Sequence, residues 1–153
     1  MTTKGSGFSL IELLVVVAIL GILSAAGVVS YNGYIAGSRQ NAAESTMQQI
    51  ALSQTEEYSN AGQYYTQDDC EVIGTANVPT ATTTTDLETF LFSGENIIPD
   101  DMGYEMCVAS TGSTFSVVAY NPDVNVDEGG CMIILSAQGA WNRGANNTKC
   151  PRE

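Results

Sequence analysis

Histidine is absent from this 153-residue chain. That removes every His-based triad, every imidazole general base and the commonest metal ligand at a stroke. Cations are scarce too: 5 lysines and arginines stand against 17 aspartates and glutamates, a formal net charge of −12. Such a chain repels phosphate backbones, and its few basic residues form no stripe, so nucleic-acid binding is disfavoured. The acidity is read as solubility, suited to salty surroundings. No P-loop, no Gly-x-Ser-x-Gly and no Gly-x-Gly-x-x-Gly occurs. The carboxylate pairs Glu56-Glu57, Asp68-Asp69 and Asp100-Asp101 lie in polar stretches, without the burial or crowding that tunes such groups for acid/base work. Neither enzymatic activity nor a cofactor is expected. The first proline is Pro79, so no proline kink is available to anything before it.

What the chain has in abundance is an apolar beginning. From Phe8 to Val29 the only polar side chains are Ser9, Glu12 and Ser24. As a helix this stretch covers roughly 33 Å, enough to cross the hydrocarbon core of a bilayer. A short polar leader ending in Gly7 precedes it. Glu12 is the anomaly: a carboxylate in lipid costs on the order of 2.5–3.5 kcal/mol by insertion scales and usually has a partner. No lysine or arginine lies near it in sequence. Cleavage after Gly7 would expose an α-amine on Phe8, and that cation on another copy of the segment would neutralise Glu12. A plain signal-anchor, or a secretory signal peptide cut at Gly27 after Ser24 and Ala26, are the competing readings. Both leave Glu12 without a purpose.

Lys4-Gly5-Ser6-Gly7 followed by Phe8-Ser9-Leu10-Ile11-Glu12-Leu13-Leu14-Val15 resembles the prepilin leader and N-terminal segment of the type IV pilin family. The resemblance implies removal of residues 1–7 by a prepilin peptidase and N-methylation of Phe8. It further implies a homopolymeric filament with the apolar segments packed at its centre, built by inner-membrane assembly machinery. Many family members carry a proline near the position of Val29; this chain does not.

Beyond the apolar run, Val28, Tyr31, Ile35, Ala43, Met47, Ile50, Gln54 and Tyr58 recur at mostly three- or four-residue steps, the signature of an amphipathic helix. Ser59-Asn60-Ala61-Gly62 supplies its stop. One helix from Phe8 to about Asn60 would be roughly 80 Å long, so its first half has to be buried in membrane or in other subunits. Gly21, Gly27, Gly33 and Gly37 weaken it at up to about 1 kcal/mol each. Gly33 and Gly37 have the spacing of a close helix contact or of a tolerated flexible join.

Residues 63–84 read as an irregular connection, with the threonine run Thr82–Thr85 as an exposed loop, bare or O-glycosylated. Thr85-Asp86-Leu87-Glu88 has capping-box spacing and predicts a short helix through about Phe92, ended by Gly94. Tyr104–Ala109, Thr114–Tyr120 and Cys131–Ser136 read as an antiparallel meander, with a fourth strand near Ala140–Asn142. A sheet with one apolar face laid on the helix stripe gives an α+β domain. That arrangement also resembles the pilin head.

Cys70, Cys107, Cys131 and Cys150 contain no Cys-x-x-Cys pair, which argues against zinc, and in an exported domain they read as two disulfides. Strands holding Cys107 and Cys131 would flank a middle strand at about 9–10 Å separation, beyond the roughly 7 Å that a disulfide spans. Of the remaining pairings, Cys70–Cys107 with Cys131–Cys150 closes the shorter loops. The Cys131–Cys150 loop is worth about 3 kcal/mol by chain entropy. The segment from Gly139 to Lys149 is similar to the C-terminal disulfide-bounded loop of pilins. Trp141 and Arg143 are binding candidates there, with Trp141 weighed towards the core. Asp123-x-Asn125-x-Asp127-Glu128 resembles the start of a calcium loop but lacks its glycine and its twelfth-position glutamate.

These readings assign residues 1–7 to a leader, 8–29 to a transmembrane or filament-core helix, 30–60 to its amphipathic continuation and 61–153 to a globular head. The expected function is that of a type IV pilus subunit. It would be anchored in a bacterial inner membrane before assembly, then displayed in a surface filament for adhesion or motility. A type II secretion pseudopilin and a membrane-anchored calcium-binding module are the alternatives.

Overall fold

The computed structural model describes residues 7–70, 78–124, 130–144 and 150, the side chains of 29, 30 and 32 aside. Helix α1 runs Leu10–Ala61. The chain forms two units, Met1–Ala36 and Gly37–Glu153. The first is the apolar stretch of α1. The second, the head, is α+β.

Within the head, Ala43, Met47, Ile50 and Gln54 of α1 are fully buried, the central part of the expected stripe. Tyr58 at its end is exposed, as are Val28 and Tyr31 before the head, and Ile35 is half-buried. The four buried residues meet the inward face of a four-stranded antiparallel sheet in the order β1-β2-β3-β4. The strands are β1 Glu105–Ser110, β2 Phe115–Asn121, β3 Cys131–Ser136 and β4 Trp141–Arg143. Alternation sends Met106, Val108, Phe115, Val117, Ala119, Ile133 and Leu135 into that core. Gly62 ends α1 in the left-handed region at φ 76°, its N–H donating to Tyr58 O at 2.9 Å. Gly130 also has positive φ, and a Cβ there would lie 2.6 Å from the Tyr120 ring, so the entry to β3 needs glycine.

The sheet differs from the expectation of one apolar face. Cys107, Val118, Met132 and Ile134 point outward and form a second buried cluster with Cys70. The cause is the Cys70–Cys107 disulfide, Cα–Cα 5.8 Å, which brings the segment around Cys70 over that face. Cys131 is bonded to Cys150, Cα–Cα 4.8 Å. The edge of β1 is covered as well. Gln67 N–H donates to Val108 O at 2.9 Å, and Gln67 Oε1 accepts from Val108 N at 3.0 Å. Its amide nitrogen donates to Thr83 O at 2.7 Å. One side chain thus extends the ladder and ties it to the next helix.

The threonine run is helical, which corrects the expectation of an exposed loop with a helix starting at Thr85. Helix α2 spans Ala81–Leu91, capped by Thr80 with a reciprocal box to Thr83. Thr83 and Thr84 are buried. Thr84 Oγ1 accepts from Met106 N at 2.9 Å and donates to Glu105 Oε2 at 2.5 Å. Threonine is a poor helix former in isolation, and here its hydroxyls are consumed by the cap and by β1. Glu88, read as the capping glutamate, instead accepts from Ile97 N and Ile98 N at 2.8 Å each and fixes the chain that follows α2.

The short strand β4 is held to α1 by charge. Arg143 Nε and Nη2 donate to the two oxygens of Glu44 at 2.7 Å each, a bidentate pair. The guanidinium also stands 5.1 Å from the Trp141 ring centroid. Glu44 holds the Arg143 pKa above its ordinary value, chiefly through the hydrogen bond. Burial first, and the Glu44 carboxylate second, push the Tyr104 phenol up to about 12.

Two outcomes follow for the head. Both amide atoms of Gln54 are buried without a hydrogen-bond partner among the described residues. An orphaned buried polar group costs about 1–3 kcal/mol, so Gln54→Met should raise the melting temperature; a lower one would mean the amide is satisfied. Tyr104 ionises near 10 when unfolded and near 12 when folded. Its contribution is therefore complete below pH 10 and lost as pH climbs towards 12. Ultraviolet titration should show this late step in the wild type and not in Tyr104→Phe.

Candidate functional site

The site sits at the start of α1. Ser9 precedes the first helical residue, Leu10, and Glu12 occupies the third position of the first turn. Ser9 Oγ accepts from Glu12 N at 3.3 Å, while Glu12 Oε2 accepts from Ser9 N at 3.0 Å. The Ser9 hydroxyl also donates to Oε2 at 2.9 Å. This is a capping box, two otherwise orphaned N–H groups satisfied reciprocally. A carboxylate in the first turn also faces the positive end of the helix dipole.

Glu12 therefore has a local reason to be where it is, one the sequence reading missed. The signal was present: Ser9-x-x-Glu12 has the same spacing as Thr85-x-x-Glu88. Both Ser9 contacts converge on Oε2. Oε1 remains geometrically available to a second donor.

Around this polar knot every described side chain from Phe8 to Val28 is exposed, Phe8 to 89%. Leu10–Ala61 contains a stretch long and apolar enough to cross a membrane, and none of that stretch is buried within the chain. Ser24 breaks the apolar surface without needing a partner outside the helix, because its hydroxyl donates to Leu20 O at 2.7 Å. Gly7 is exposed, with nothing within 4 Å of where a Cβ would stand. The fold itself makes no demand for glycine at that position.

Gly7, Phe8 and Glu12 thus fall within one short segment. Residues 1–6 of the expected leader lie outside the described residues. The other sequence candidates are scattered. Asp68 and Asp69 are exposed in a turn beyond α1, and Asp100 and Asp101 are exposed in a short 3-10 helix, Asp100–Met102. Glu56 and Glu57 ride on α1. Among the described residues no group of three or more His, Cys, Asp or Glu side chains is placed to hold a metal ion. Of the calcium-like segment, residues 125–128 lie outside the described residues, as do 145–149 of the C-terminal loop. Trp141 is half-buried, packed against the head core with one side open.

Losing the cap should cost about 1 kcal/mol at the helix start. Ser9→Ala in the micelle-solubilised full chain should therefore speed amide exchange over residues 10–13 roughly fivefold, with Ser9→Thr close to wild type. Equal protection in all three would show that the Ser9 hydroxyl does not cap the helix.

Comparison with known protein families gives a match at the N-terminus. Residues 3–28 fit the family model of the prokaryotic N-terminal methylation motif, the leader signature of type IV prepilins. No curated protein and no solved structure matches the chain.

Proposed function

We propose, from the methylation motif at residues 3–28, that this chain is a type IV pilus subunit. Residues 1–7 form the leader removed by a prepilin peptidase, and Phe8 becomes the methylated N-terminus. The stretch 8–29 anchors the subunit in the inner membrane and then enters the filament core. Residues 30–60 carry the helix into the head, and 61–153 complete the head that faces outward for adhesion or motility. The subunit is structural and performs no catalysis.

The observation that carries this reading is the coincidence of the motif with the start of α1, where every described apolar side chain from Phe8 to Val28 is exposed. Such a surface is stable only in lipid or against other copies. A helix of this kind accepts either environment in turn, which is what leaving the membrane for a filament requires. Glu12 gives the second environment its register. The new amine of Phe8 on a neighbouring copy supplies the missing cation, and a wrong offset leaves a charge unpaired in a low dielectric. The Gly7 position supports the same scheme, since its lack of any role in the fold fits a residue required by a processing enzyme.

Mass spectrometry of material sheared from intact cells tests the proposal. The expected species begins at Phe8, carries one N-methyl group and retains both disulfides. A chain beginning at Met1 or Gly27 would overturn the processing scheme. A correctly processed chain found only in the cell envelope would instead assign it to a secretion pseudopilus.

A further inference from the structure

Beside the Glu44–Arg143 pair, α1 and the β3–β4 end of the sheet enclose an open groove of about 400 Å³. Ala51, Leu52 and Thr55 line it from the helix, and Phe115, Leu135 and Trp141 from the sheet. No lining residue is charged, in a chain whose net charge is −12. Leu52, which lines it, is 72% exposed, beside the buried Ala43, Met47, Ile50 and Gln54 of the same helix. β4 is an edge strand of three residues, so the adjoining sheet margin has no further strand beside it among the described residues.

We propose that this groove receives apolar side chains from the Leu13–Val28 segment of a second copy of the chain. Charge complementarity selects that occupant. A neighbour's head would bring acidic residues to an uncharged surface in which Leu52, Phe115, Leu135 and Trp141 outweigh the polar Gln48, Thr55 and Ser136, at a desolvation cost. The Leu13–Val28 segment has no charged side chain at all. It presents Leu13, Leu14, Ile19, Leu20, Ile22 and Leu23 uncovered, 53–73% exposed. Side chains at helical spacing fit a groove of this form as knobs enter a groove between elements. The proposal rests on the filament reading and deepens it: the head is not merely carried by the helical core but helps to grip it. Leu52 and Trp141 then set which copies can neighbour each other.

Leu52→Asp in the full chain, expressed where the wild type is processed and assembled, provides the test. Exposure of Leu52 predicts an unchanged head, verified by both disulfides and the melting temperature. Sheared filament mass should fall roughly tenfold or more, while processed subunit accumulates in the membrane. Independently, Leu52→Cys should cross-link between copies with cysteines placed along 13–28, at one helical face and not the others. Wild-type filament yield from Leu52→Asp, or cross-links only between heads, would overturn the groove assignment and leave the filament reading standing. Absence of filaments from the wild type itself would remove both.

Discussion

A carboxylate among hydrocarbon side chains has to be hydrogen-bonded, neutralised or abandoned. Glu12 meets the first of these demands within its own chain, and the proposed assembly meets the second. Ser9 satisfies part of the carboxylate through a capping box that also starts α1. The box supplies hydrogen bonds but no positive charge. What it leaves outstanding is the carboxylate's charge on an apolar helix. In the proposed scheme, cleavage beside Gly7 makes the amine that answers it. In the proposed filament, local helix capping and assembly would use the same side chain, which would account for a glutamate inside so apolar a run.

The head obeys a different logic. Its core is conventional apolar packing between a helix stripe and a sheet. Polar groups join the pieces at the margins. Threonines of α2 bond to β1, Gln67 completes the outer edge of the ladder, and Arg143 binds β4 to Glu44. Each disulfide reaches where such contacts do not: one covers the outward face of the sheet, the other anchors Cys150 to β3. For an acidic domain of this size, cross-links and bidentate pairs offset what a modest core cannot supply.

Period and composition made most of this legible. The three- and four-residue steps from Ala43 to Gln54 pointed to the buried face of α1, and β-branched runs located three strands within a residue or so of their ends. Trp141 and Arg143 are the ends of the fourth. The threonine run was misread because intrinsic propensity disfavours it in a helix, and what overrides propensity is tertiary. Thr83 and Thr84 have partners on β1, twenty residues away and invisible to local pattern. Glu88 was misassigned for the same reason, since its partners Ile97 and Ile98 come from beyond the helix. At the N-terminus the error ran the other way. The cost of burying Glu12 drew the eye to a distant partner, and the hydroxyl three residues before it was passed over. Gln54 shows the limit of periodicity, which located its burial but could not say that its amide would stay unpaired.

The central claim is that Glu12 is neutralised by the terminal amine of another copy. Filaments assembled from a mixture of two populations, one with ¹⁵N in phenylalanine and the other with ¹³C in glutamate, isolate that contact from everything within one chain. Magnetisation should pass between the Phe8 nitrogen and the Glu12 carboxyl carbon, at a spacing of roughly 4 Å. Filaments that form normally yet show no such transfer would mean that Ser9 is the only partner Glu12 has, and that register is set elsewhere.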